Sequence, residues 1–270
     1  MNLLGISGSL RNARFGKGSK RLVDELSDLT TQQELQRYLQ KQTKICAEEV
    51  LAAEQEHNTP FDQVYKYLEK NRSEQGLSNS EAGLAAGLWG ALQEGIAVTH
   101  VGLSQYFPMN GEGRHLATLK EHILSADAIL ISGPVYFGDR GSLVQALIEF
   151  ISSDTEIKDH LEGKLYGAIA VGAKRNGGQE TQLIYQLIDM CNLNMLAVGN
   201  SHKTSAQYGG TIKAGDAGTA WQDDYGLETA IGTGRRIATL LKALNSSKDS
   251  VLKDACRIGV LWLQDTPEKH

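Results

Sequence analysis

Residues 3–21, LLGISGSLRNARFGKGSKR, decide how the rest of the chain is read. Residues 3–6 have the length and apolar character of a short buried strand. The chain then turns abruptly to Gly, Ser and Arg, and from Ser19 it resumes with the helix-like spacing of Leu22, Val23 and Leu26. A strand, a polar loop and a helix in that order set a helix N-terminus against the loop. Free backbone N–H groups and the helix dipole favour an anion there. Ser7, Ser9 and Ser19 add hydroxyl donors, and Arg11 adds a planar cationic fork. The segment reads as a phosphate site on the first strand of an α/β domain.

Single letters exclude the better-known phosphate and nucleophile loops. A G-x-x-x-x-G-K-[ST] loop fails because Gly18 follows Lys17 and Arg11 stands where the first Gly belongs. The dinucleotide pattern G-x-G-x-x-G fails because Ile6 and Ser7 follow Gly5. A G-x-S-x-G elbow fails because Ser9 occupies its last Gly. A Ser-rich loop is left, which suits one terminal phosphate better than a pyrophosphate. The plain alternative is a βα connection whose helix is capped by Ser19.

Composition sets the class. The chain has 270 residues, 41% hydrophobic and 22% charged, as a folded water-exposed protein does. A net charge of −5 argues against a general nucleic-acid surface. No apolar run approaches the ~20 residues of a membrane span. The first residues enter a strand with no charged and apolar leader, so the expected location is the cytoplasm. Cys46, Cys191 and Cys256 lie far apart and have neither disulfide-framework nor metal-ligand spacing, so no metal is expected.

Further strands are expected at 96–103, 126–132, 166–171 and 195–198. Helices are expected at 19–29, 115–125, after 142, after 180 and at 227–244. Between the first helix and the second strand stands a block rich in Gln, Glu, Lys and Leu. It carries helical spacing over 31–53 and at Phe61, Val64, Tyr65 and Leu68. Ser80 then stands where it can cap a helix bearing Leu84, Leu88, Ala91 and Leu92. Residues 30–80 are read as a helical insertion that clads the sheet or meets a partner. The expected architecture is a doubly wound five-stranded parallel sheet with this insertion after the first helix. One domain spans 1–250 and a C-terminal extension spans 251–270.

In such sheets ligands bind beyond the carboxyl ends of the strands, where the strand order switches. The loops after strands one, three and four are Gly-rich, and in the order 2-1-3-4-5 those strands are neighbours. The first loop offers phosphate donors. The second offers Tyr136 and Phe137 beside Gly138, and the third offers Asn176, Gly177, Gly178 and Gln179. A ligand with one phosphate and a large flat ring fits, and FMN is such a ligand.

With those loops in view, the chain resembles the NADPH-dependent FMN reductase group of flavodoxin-like proteins. The stretches that carry the likeness are GISGSLR (5–11) with GSKRL (18–22), SGPVYFGDRGSLVQALIEF (132–150) and GGQET (177–181). It covers 1–27 and about 96–245. The resemblance implies FMN held at its phosphate by Ser7, Ser9, Arg11 and Ser19. It implies Pro134, Val135, Tyr136, Phe137 and Gly138 along the ring and ribityl chain, and Asn176, Gly177, Gly178 and Gln179 at the ring's polar edge. It also implies flavin-centred chemistry with no catalytic side chain. NAD(P)H would be the co-substrate, a quinone or flavin the small acceptor, and the assembly a homodimer or homotetramer. Lys174 and Arg175 are candidates for a nucleotide phosphate, and His202, Tyr208 and Trp221 for the second-substrate side. An electron carrier like flavodoxin, or an FMN-binding partner-interaction protein, is the alternative on the same fold.

Overall fold

The computed structural model describes residues 1–57, 72–108, 113–200 and 207–246. Its strands are β1 (Asn2–Ser7), β2 (Ala97–Gly102), β3 (Ala128–Tyr136), β4 (Asp139–Arg140), β5 (Leu165–Gly172), β6 (Leu196–Ala197) and β7 (Gly210–Lys213). The sheet runs β2-β1-β3-β5, and both β6 and β7 pair with β5. These pairings are parallel; β4 alone is antiparallel, a return of the chain onto the end of β3. The expected 2-1-3-4-5 order is therefore present, with the fifth strand split into β6 and β7. The flavodoxin-like α/β fold is the one expected.

Period-two alternation divides the core into two layers. Leu3, Leu130 and Ile169 face one cluster, and Leu4, Ile6, Ile129, Ile131 and Ala170 face the other. The first layer is covered by α1 (Lys17–Ser27), α2 (Gln32–His57), α3 (Asn79–Leu92) and α8 (Asp224–Ser246). The second is covered by α4 (Leu116–Leu124), α5 (Ser142–Ser153), α6 (Thr155–Leu161) and α7 (Gln179–Asn192). Among the described residues no helix is long and apolar enough to cross a membrane.

Helix α3 is the exception among these helices, because nearly every residue in it is buried. It lies across β1, β3 and β5 and packs against α8. Its sequence, NSEAGLAAGLWGAL, is Gly- and Ala-rich, which lets backbones meet. A Cβ added at Gly234 would run into the Gly87 carbonyl oxygen, and one at Gly90 into that of Ile231.

The helices between β1 and β2 take different places on the sheet. The first helix of the chain, α1, lies against β2, at the end of the sheet order. The helix that crosses the sheet between β1 and β2 is α3. The physical reason is composition: α1 buries only Leu22 and Leu26, whereas α3 is apolar all round, as a fully covered position requires. The segment 12–77, with α1 and α2, separates the loop after β1 from the cap of α3. Its two ends are stapled together, with Ala13 N–H donating to Ser73 O at 2.9 Å and Ser73 N–H to Arg11 O at 2.8 Å. The helix read around 61–68 and the extension at 251–270 lie outside the described residues. Strand β7 and helix α6 were not legible in the sequence.

Candidate functional site

The carboxyl ends of β1, β3 and β5 converge on a groove of about 190 Å³. Ser9 and Arg11 line it from β1, Pro134, Val135 and Tyr136 from β3, and Val171 and Ala173 from β5. Ser78, Asn79 and Ser80 stand at its floor, and Cys46 with residues 214–218 closes the far side.

The β1 side is held by short local bonds. Gly8 N–H donates to Ser132 O at 2.7 Å, pinning the loop to β3. Ser7 Oγ accepts from Ser9 N–H at 3.4 Å, and Ser9 Oγ accepts from Arg11 N–H at 3.2 Å. The Arg11 guanidinium has no acceptor or carboxylate among the described residues.

The N-terminus of α3 completes this corner. Ser78 is the cap, its Oγ accepting from Glu81 N–H at 3.2 Å. Its own N–H donates to Asn12 Oδ1 at 3.1 Å. Ser132 Oγ donates to Ser80 O at 2.7 Å, tying the helix start to β3. The backbone N–H groups of Asn79 and Ser80 have no acceptor among the described residues. These two N–H groups at the positive end of a 14-residue helix, beside a guanidinium with no partner among the described residues, are a donor set that an anion could use.

On the β3 side the chain reverses through Phe137 and Gly138, with φ of 52° and 81°, and pairs back through β4. Positive φ at both turn positions is the two-residue hairpin geometry that matches strand twist. Phe137 points fully into solvent and Tyr136 is half-exposed. Loss of water raises the Tyr136 hydroxyl above its ordinary value, and nearby Arg11 opposes that rise. The third loop abuts this hairpin: Gly178 has φ 107°, and a Cβ there would lie 2.7 Å from Gly138 Cα.

Three expected contacts are corrected. Ser19 does not join this donor set. Its Oγ lies 3.1 Å from His100 Nδ1, and it lines a separate cavity with Phe15 and Tyr106 because α1 sits by β2. The Gln179 amide is occupied by its own loop. Nε2 donates to Lys174 O at 2.7 Å and to Ile212 O at 3.2 Å, while Oε1 accepts from Gly177 N–H at 2.8 Å. It shapes the turn that Asn176 and Gly177 carry at the exposed rim, while Val171 and Ala173 line the groove. Arg175 pairs with Asp223, donates to Thr211 O at 3.3 Å and lies 5.1 Å over the Tyr225 ring, so it is not free for a nucleotide phosphate. Lys174 is exposed, Tyr208 is exposed and Trp221 packs on the core; His202 lies outside the described residues.

Sequence reading missed Ser78, Asn79 and Cys46, and took Ser80 only as a plain cap. The available signal was the Ser78-x-x-Glu81 capping spacing. Glu81 does not close that box, however. It is buried beneath these donors with its Oε1 2.9 Å from His100 Nε2 and 3.6 Å from Arg14 Nε. Arg14 Nη2 also donates to Gln75 O at 2.8 Å and Gly76 O at 3.0 Å. Asn12 takes the place that Glu81 leaves at the Ser78 N–H.

The family model for NADPH-dependent FMN reductase matches residues 75–209, half of the chain. The chain belongs to this family. The match starts three residues before the cap of α3 and runs to 209, the residue before β7; β1 and its loop lie before it. Family membership implies FMN as cofactor. An iron-sulfur flavoprotein of Methanocaldococcus jannaschii is 38% identical over 119 residues, 44% of this chain and 61% of its own length. An NAD(P)H dehydrogenase (quinone) of Caulobacter vibrioides is 29% identical over 129 residues, 44% of this chain and 64% of its own. The chain thus spans less than two thirds of these relatives' length. Among solved structures, RosB with bound 8-demethyl-8-formylriboflavin-5'-phosphate superposes with a TM-score of 0.55 at 12% identity. That superposition covers 100% of this chain and 89% of RosB, a likeness of fold.

Proposed function

We propose that this member of the NADPH-dependent FMN reductase family moves electrons from NAD(P)H through bound FMN to a small acceptor such as a quinone or flavin. The observation that carries the reading is the groove itself. An anion cradle from Ser9, Arg11 and the open N–H groups of Asn79 and Ser80 stands at one end of an apolar wall made by Pro134, Val135 and Val171. That donor set fits a phosphomonoester, and the wall fits a flat ring.

Bound FMN supplies a ring that takes a hydride and passes electrons on. The chain's own groups bind and orient it. The cradle holds the phosphate, Ser7 shapes the loop that presents Ser9, and Pro134–Tyr136 support the ring and ribityl side. The Phe137–Gly138 turn and the Asn176–Gly178 loop border the ring's edge, with Gln179 fixing the latter. Cys46 and residues 214–218 restrict the far side to a small second substrate. No side chain is required to move a proton.

The same reading places the protein in the cytoplasm as one domain with an insertion, working as a homodimer or homotetramer. Exposed Phe137, Ile184, Tyr185 and Ile188 support the assembly. The Arg140–Asp189 pair ties the β4 hairpin to the helix that carries the last three. Light scattering on the purified protein measures the assembly directly. For the activity, the visible spectrum is recorded and NADH or NADPH is added without oxygen. A flavin band that bleaches and returns on adding a quinone is the expected result. A protein that takes up no FMN overturns the reading, and one that binds FMN but is not reduced by either nucleotide is a carrier.

A further inference from the structure

Asn12 stands where the loop after β1, the segment before α3 and the α3 cap meet. Its side chain is buried. Nδ2 donates to Gly76 O at 3.1 Å and Oδ1 accepts from Ser78 N–H at 3.1 Å. Its carbonyl oxygen accepts from Ser104 Oγ, next to β2. One amide thus bridges the segment before α3 and the helix cap, and its backbone is anchored to the sheet.

Four N–H groups at a helix start lack intrahelical partners. Here Glu81 N–H goes to Ser78 Oγ and Ser78 N–H to Asn12, so the two without an acceptor among the described residues, Asn79 and Ser80, belong to residues that line the groove. The segment 12–77 separates Arg11 from Ser78 by more than sixty residues of sequence. Donors so far apart in sequence need a tie if they are to converge on one anion. The tie is Asn12, helped by the Ala13–Ser73 and Ser73–Arg11 backbone bonds.

We propose that Asn12 is a positioning residue for the phosphate end of the cofactor, registering the α3 N-terminus against Ser9 and Arg11 across the base of that segment. The proposal rests on the FMN reading above. Its consequence is selective: loss of the tie disorders the anion cradle and leaves the ring wall of β3 and β5 intact. Affinity for FMN then falls while affinity for riboflavin, which has the ring and no phosphate, stays as it was.

The test titrates FMN and riboflavin into the flavin-free full chain and into Asn12→Ala and Asn12→Asp, following flavin fluorescence. For Asn12→Ala the expected result is FMN binding about tenfold weaker, the loss of about one hydrogen-bonded constraint, with riboflavin unchanged. Asn12→Asp keeps the acceptor for Ser78 N–H but loses the donor to Gly76 O and adds a charge. It serves if the alanine variant does not fold: FMN weakening, relative to the unaltered chain, that persists at high salt is the lost tie, and weakening that salt abolishes is the charge alone and overturns the role. Equal weakening of both ligands, or no weakening of either, overturns the role of Asn12 while leaving the FMN reading in place. Failure of the unaltered chain to bind FMN removes both.

Discussion

Arg11→Ala compared with Ser19→Ala separates the cradle at α3 from the loop-and-first-helix site that the sequence suggested. Arg11 borders the groove, and its guanidinium has no carboxylate among the described residues, so its removal leaves no internal charge unpaired. A hydrogen bond to a charged group contributes ~1.5–3 kcal/mol. At ~1.4 kcal/mol per tenfold, Arg11→Ala should weaken FMN by roughly ten- to a hundredfold. Ser19 Oγ faces His100 Nδ1 in another cavity, so Ser19→Ala should leave the dissociation constant unchanged. Fluorescence-quenching titrations of flavin-free protein measure both, with riboflavin as the phosphate-free control. An unchanged constant for Arg11→Ala, or a Ser19→Ala loss comparable to it, would refute the placement of the cradle. So would a parallel loss of riboflavin in Arg11→Ala.

Gly178→Ala combines a φ of 107° with a Cβ 2.7 Å from Gly138 Cα. It should cost ~1–3 kcal/mol in urea unfolding and loosen flavin binding, since the second and third loops would be pushed apart. Gly234→Ala puts a Cβ into the Gly87 carbonyl between α8 and α3, and should lower the urea midpoint clearly. An unchanged midpoint for Gly234→Ala would contradict the packing account. Burial pushes the Cys46 thiol up from its ordinary value to about 11. The unfolded chain therefore ionises first, so this stability is full below the unfolded pKa and is lost as pH rises toward the folded one. Wild type should lose urea stability relative to Cys46→Ala across that alkaline window. At neutral pH a thiol reagent should label exposed Cys191 well before Cys46.

The fold was legible because strand and helix periods are local. The run 3–6, the apolar stretch that became β3 and the clean spacing of Leu183 in α7 each announce an element within a few residues. The Gly-rich loops after β1, β3 and β5 were legible for the same reason, since tight βα turns leave composition behind. Strand β7 was hidden because GTIK is four residues long inside a polar loop. The roles of Gln179 and Arg175 were hidden because an amide or guanidinium reads the same in sequence whether it faces a ligand or its own backbone.

By itself the sequence determined a doubly wound sheet and the neighbouring places of its first, third and fourth strands, and it pointed to Ser9 and Arg11 on the loop after β1. Only the tertiary structure decided which helix N-terminus faces that pair. Sequence adjacency favours α1, but burial favours α3: a helix apolar on every side is stable only where sheet and helices enclose it, and α1 has a single stripe to hide. Once α3 takes the sheet, the segment over 12–77 must leave and return at one point. The amide of Asn12 and the two Ser73 backbone bonds close that point, so the loop after β1 and the N-terminus of α3, 67 residues apart from Arg11 to Ser78, line one groove.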